Sequence, residues 1–132
     1  MSIKLNDSRQ APLWAYVDIN LGDFADGAVQ DAIELPGDAI VVGGFVQPIT
    51  TFNAATTATL KVGDALDDDR YTATAADVKA LAVVPLTITG YQMPAMGKLK
   101  VTYASTGAAA TTGKCRLAVS YIRAGRTQST QG

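Results

Sequence analysis

Residues Val41–Ala80 read VVGGFVQPITTFNAATTATLKVGDALDDDRYTATAADVKA. Two apolar, strand-like runs lead into three consecutive aspartates, Asp67–Asp69, followed by Arg70 and Tyr71. In the first run Gly43-Gly44 suits a bulge and Pro48 limits ladder pairing; in the second, TATLKVG alternates with the period of two that marks a half-buried strand. The acidic run is then either a cation or catalytic site or the solvated corner of a β protein. An EF-hand-like loop needs oxygen ligands at alternating positions, a glycine at its sharp turn and a later bidentate Glu, and DALDDDRYTATA supplies neither that glycine nor any Glu. Two carboxylates can act as acid and base or nucleophile in hydrolysis, but neighbours in an extended chain point to opposite sides and do not converge on one bond. The expectation is a solvated turn in which Arg70 offsets part of the repulsion and Tyr71 returns the chain to the core.

The same period of two extends outward in both directions. In LWAYVDINL, Leu13, Ala15, Val17, Ile19 and Leu21 share one face and Trp14, Tyr16, Asp18 and Asn20 the other. In KLKVTY, Leu99, Val101 and Tyr103 oppose Lys98, Lys100 and Thr102; in KCRLAVSYI, Cys115, Leu117, Val119 and Tyr121 oppose Lys114, Arg116, Ala118 and Ser120. The small, polar ASTGAAATTG between these last two predicts a hairpin with a long loop. AVQDAIEL reads as a strand ending at Pro36-Gly37, and LAVVPLTITG as another in which Pro85 favours an edge. Only residues 74–82 look helical, with Thr74 as N-cap and Asp77 three residues on as an incomplete capping box. The pattern predicts an all-β, jelly-roll-like antiparallel β-sandwich: one domain over residues 12–123 with one short helix, flanked by an N-terminal arm, 1–11, and a C-terminal tail, 124–132.

Composition narrows the function. A chain of 132 residues can bury roughly two thirds of its unfolded surface, and 48% hydrophobic with 17% charged residues describes a folded protein with no apolar run that spans a bilayer. The N-terminus lacks a signal or transit pattern, which predicts synthesis in a cytoplasm. With no histidine, the commonest general base, the Ser-His and Cys-His pairs and the usual zinc ligand are missing. Cys115 is the only cysteine, sits in phase with core residues and reads as a buried thiol. The glycines of VVGGF lack the spacing and the lysine of a phosphate loop. No catalytic residue, metal ligand or cofactor site is expected, and no small-molecule substrate.

Of the acids, eleven are Asp and one, Glu34, is Glu, a skew toward turns. Residues 1–97 carry all twelve acids and five bases, whereas residues 98–132 carry six bases and no acid. Lys98, Lys100, Lys114, Arg116, Arg123 and Arg126 could track nucleic-acid phosphates, but few aromatics interleave with them and the chain is acidic overall, with a pI of 5.1. An acidic protein surface is the better partner for them. Trp14 and Tyr16, opposite the core face of their strand, can be partner anchors, sugar-stacking platforms or rings covered by the N-terminal segment.

The run IELPGDAIVVGGFVQPITTFNAATTATLKVGDALDDDRYTAT resembles a segment of small structural proteins of tailed bacteriophages, in its LP-G-IVVG strand, TTFN strand end, LKVGD and DDRY turn. The likeness covers about residues 33–80 and points to the capsid decoration, or cement, proteins. It implies a jelly roll on the outer surface of the virion head, dimeric or trimeric, clamping neighbouring major capsid protein subunits. It brings no catalytic motif. A tail, baseplate or head-fibre component and a carbohydrate-binding jelly roll are the alternatives.

Overall fold

The computed structural model describes residues 9–24 and 28–125. Eight strands follow one another: β1 (Leu13–Asn20), β2 (Val29–Leu35), β3 (Ala39–Thr50), β4 (Thr57–Gly63), β5 (Ala76–Asp77), β6 (Val84–Pro85), β7 (Gly97–Thr106) and β8 (Lys114–Arg123). They form two four-stranded sheets, β1-β8-β3-β6 and β2-β7-β4-β5, in which every pairing is antiparallel. The pairs β1–β8, β2–β7, β3–β6 and β4–β5 are mirror images about the middle of the chain. The polypeptide is therefore one long antiparallel ribbon, doubled back at the acidic stretch between β4 and β5 and wound so that successive rungs fall in alternate sheets. That winding is the jelly roll.

This topology corrects the predicted β7–β8 hairpin. The two strands lie in different sheets, β7 between β2 and β4 and β8 between β1 and β3, so residues 107–113 are a crossover. Asn53 fixes it: its Oδ1 accepts the Thr111 and Thr112 amides at 2.7 and 3.1 Å. The predicted helix at 74–82 is also absent. Ala76 and Val78 are buried at 1% and 0% exposure and pair as extended chain, Ala76 opposite Leu60 and Val78 donating to Ala58 O at 3.0 Å. Asp77 bonds the Lys79 amide at 2.9 Å and so makes a turn instead of a capping box. Among the described residues the helical segment is a 3₁₀ turn at Leu21–Asp23, and no helix is long and apolar enough to cross a membrane.

The glycine pair does mark a bulge. Register slips between Val41 and Gly43 where β3 meets β8. Gly44 has φ +150°, and a Cβ there would lie 2.5 Å from Ala118 O, so only glycine lets the strands close at this point. Pro85 sits on the short edge strand β6, as its missing N–H requires. Between the sheets the inward residues alternate as read from the sequence: Ile19, Val41, Val46, Cys115, Leu117 and Val119 from one, Leu35, Leu60, Val62, Leu99, Val101 and Tyr103 from the other, all buried. Phe24, Phe52 and Tyr103 close one end with ring centroids 5.2 to 6.1 Å apart. Each fully buried aliphatic side chain contributes about 1.5–3 kcal/mol.

Candidate interaction surfaces

The outer faces of the two sheets have opposite chemistry. On β2-β7-β4-β5 the outward face is mainly polar, with Val29 as an exposed apolar residue on β2, and several of its polar side chains pair with one another. Lys98 and Lys100 reach Asp31 at 3.4 and 2.5 Å, the Thr57 and Thr106 hydroxyls meet at 2.6 Å, and Lys61 lies 3.5 Å from Asp68. The Lys100 ammonium holds the Asp31 carboxyl below its ordinary range. Such exposed pairs add little stability, but they keep the surface hydrated and polar.

On β1-β8-β3-β6 the outward face is aromatic. Trp14 and Tyr16 are 60% and 67% exposed. Register sets Trp14 beside Ser120 and Tyr16 beside Ala118, with Phe45 of β3 on the other side of Ala118. Because Ala118 and Ser120 are small, rings from the flanking strands meet across β8: the Trp14 and Phe45 centroids are 6.4 Å apart at 49°. Pro85 of β6, opposite Phe45, extends the surface. At its polar rim Arg116 grips Asp18 through two hydrogen bonds of 2.7 and 3.1 Å while its guanidinium lies 5.2 Å from the Tyr16 ring centre. The hydrogen bond from Arg116 lowers the Asp18 carboxyl below its ordinary value. Two aromatics preorganised by strand backbone, with an arginine already oriented, form the kind of patch that carries binding energy at protein interfaces.

The six late basic residues are thus not gathered on one face. Lys98 and Lys100 lie on one sheet and Arg116 on the other. Arg123, at the end of β8, donates to Gly37 O at 3.1 Å, and its backbone is held by Gln10 through bonds of 2.6 and 2.8 Å. Arg126 lies outside the described residues, as does most of both chain ends. Phe45 was not a sequence candidate, because its direction depends on where the bulge falls within VVGGF.

The acidic stretch is a solvated corner whose carboxylates serve its own backbone. Asp64 Oδ1 accepts the Leu66 and Asp67 amides, each at 3.0 Å, and Arg70 Nε donates to Asp64 Oδ2 at 2.6 Å. The Arg70 guanidinium also stacks 3.6 Å above Tyr91. The chain re-enters the core through Tyr71, 1% exposed, whose amide bonds Val62 O at 2.9 Å. Burial pushes the Tyr71 hydroxyl up to about 12. Carboxylate oxygens of Asp67, Asp68 and Asp69 come within 4.8 Å of one another. The hydrogen bond between the Asp67 and Asp69 side chains lowers Asp67 and raises Asp69. Cys115 is wholly buried, and burial raises its thiol to about 12, which leaves it no nucleophilic thiolate at neutral pH.

No protein-family model matches the chain, and comparison with curated proteins finds no match. Solved structures do resemble it. A chain in the capsid asymmetric unit of cyanophage Pam1 aligns with a TM-score of 0.67 at 24% identity, covering 92% of this chain and 90% of that one. A chain in the capsid of Ralstonia phage GP4 gives 0.68 at 22% identity, covering 96% and 93%. One from the acid-stable capsid of Helicobacter pylori bacteriophage KHP30 gives 0.65 at 16%, covering 86% and 88%. The chain has the jelly-roll-like β-sandwich fold found in these phage capsids.

Proposed function

We propose that the protein is a non-enzymatic structural component of a phage virion, and within that class a capsid decoration protein that docks on the outer shell and bridges major capsid protein subunits. The fold likeness supports the virion setting. The observation that carries the docking role is the contrast between the two outer faces. One carries lysines, aspartates and threonines that pair with one another around a single exposed Val29, and the other presents Trp14, Tyr16 and Phe45 with Arg116 oriented at the rim. A sheet face that displays large rings in place of the usual polar side chains is built to be covered. In this reading Trp14, Tyr16 and Arg116 contact the shell, while Lys98 and Lys100 keep the far face in water. The residues beyond each end of the sandwich, including Arg126, reach neighbouring subunits. Icosahedral repetition multiplies a modest contact many times.

The test is cosedimentation of purified protein with expanded shells that lack it. The wild type is expected to bind saturably, and Trp14→Ala combined with Tyr16→Ala to lose about 2 kcal/mol or more, a drop of about thirtyfold in affinity. Lys98→Ala with Lys100→Ala is expected to bind as the wild type does. Binding by the aromatic variant at wild-type affinity would overturn the docking assignment.

A further inference from the structure

Among the described residues the two sheets end in the edge strands β1, β6, β2 and β5, and all but β1 are guarded against further pairing. β5 and β6 are two residues long, and β6 contains Pro85. β2 slips register between Asp31 and Ile33. A short edge, a proline and a bulge each discourage another strand from adding. β1 has none of these: it runs eight residues in unbroken register with β8 and carries no proline or lysine. Its single charged side chain, Asp18, is drawn back onto Arg116 of β8. The Leu21 amide fixes the phase of its hydrogen bonds. It donates to Gly113 O at 2.9 Å, and in an antiparallel pair such bonded positions recur at every second residue. Leu13, Ala15, Val17 and Ile19 therefore bond β8, while the N–H and C=O of Trp14, Tyr16 and Asp18 point out from the edge. Asn20 continues that outward series, and its amide is taken by Asp23 Oδ2 at 2.9 Å. Among the described residues no strand pairs with this outward row. Beside it, between β1 and β2, is a hollow of about 140 Å³, with Val17 and Ile19 on one side and Ala32 and Val101 on the other.

We propose that β1 is the acceptor edge for strand addition by an extended segment of a shell subunit. The inference rests on the docking reading above and states how the partner engages. A row of backbone donors and acceptors at every second residue is matched, rung for rung, by another extended backbone. Side chains of the added strand alternate between two apolar settings, the hollow beside Val17 and Ile19 and the outer face beside Trp14 and Tyr16. The added strand thus continues the aromatic surface: main-chain bonds hold the segment, and the rings and the hollow select its side chains.

Hydrogen–deuterium exchange resolved to single residues, on free protein and on protein bound to expanded shells, decides it. In the free protein the amides of Trp14, Tyr16 and Asp18 should exchange rapidly and those of Ala15, Val17 and Ile19 slowly. On shells the first three should slow by about tenfold or more. Tyr16→Pro and Tyr16→Ala both remove the ring, but the proline also removes the outward N–H, at an edge position compatible with it. The proline variant is expected to bind shells about fivefold more weakly than the alanine variant, the share of one hydrogen bond. Equal binding by the two would overturn the proposal; should Tyr16→Pro melt well below Tyr16→Ala, exchange in the wild type decides alone. Bound protein whose Trp14 and Tyr16 rings are shielded while these three amides still exchange rapidly would refute strand addition and leave face-on docking standing. Slow exchange of the three in the free protein would give the edge to the protein's own residues and likewise refute it. A wild type that does not bind shells would remove the docking reading and this inference together.

Discussion

Gly63→Ala tests the account of the acidic corner at its tightest point. Gly63 ends β4, and the returning turn passes so close that a Cβ would stand 2.5 Å from Asp68 O and nearer still to Asp67 O and the Asp68 carbonyl carbon. Ordinary contact begins near 3.4 Å, so the turn must lift by about 1 Å or more. It is backbone that must move, and that backbone is pinned. Asp64 N donates to Asp67 O at 2.8 Å, and Tyr71 N to Val62 O at 2.9 Å. Loss of these two bonds costs about 1 kcal/mol each, and forced overpacking adds about 1–3 kcal/mol. Replacing glycine restricts the unfolded chain and returns about 0.4–1 kcal/mol. The net expectation is about 2–4 kcal/mol of destabilisation, or roughly 7–14 °C in Tm for a domain of this size. Urea denaturation and calorimetry measure it directly. Gly22→Ala, where nothing lies within 4 Å of the new methyl, is the control and should stay within about 0.5 kcal/mol of wild type. A Gly63→Ala protein that melts within about 2 °C of wild type would show that the corner is not packed against β4 as described.

Cys115 should resist thiol reagents at about pH 8 until the protein unfolds, since its thiolate is suppressed by burial; rapid stoichiometric labelling of the native protein would contradict its place between the sheets. Asp18 and Asp31 are held below the ordinary 3.8 by Arg116 and Lys100, so their contribution is complete above that pH and fades as pH falls through their lowered values. The Tm should therefore decline below about pH 3.8, and Asp18→Asn with Asp31→Asn should flatten that decline; an unchanged acid limb in the double variant would remove both ion pairs from the account.

How much the sequence disclosed follows from the range of each signal. Alternation is local, and it placed Trp14 and Tyr16 outward and Cys115, Leu117 and Val119 inward without knowledge of any partner strand. Pairing is not local. β7 and β8 are adjacent in sequence and both alternate cleanly, yet their partners are β2 and β4 for one and β1 and β3 for the other. Hence the hairpin was wrong, and hence Lys98 and Arg116, which look like neighbours in a basic terminal region, face away on different sheets. At 74–82, Thr74 and Asp77 carry a helix-start pattern, but two short buried residues, Ala76 and Val78, decided the outcome by completing the sheet edge and floor. Phe45 was hidden by the bulge, because one extra residue reverses the face of everything after it. The DDDRY corner was legible because its chemistry is that of a turn: a short acid side chain bonding the amides just ahead of it.

The central claim is that the aromatic sheet face is the one the virion covers. Hydroxyl-radical footprinting, read by mass spectrometry on free protein and on protein bound to expanded shells, measures that coverage residue by residue. Trp14 and Tyr16, 60% and 67% exposed in the free chain, should be oxidised readily in solution and protected when bound, while Lys98 and Thr57 on the opposite sheet should show no change. Protection of the lysine and threonine face with Trp14 and Tyr16 still open to oxidation would contradict the account.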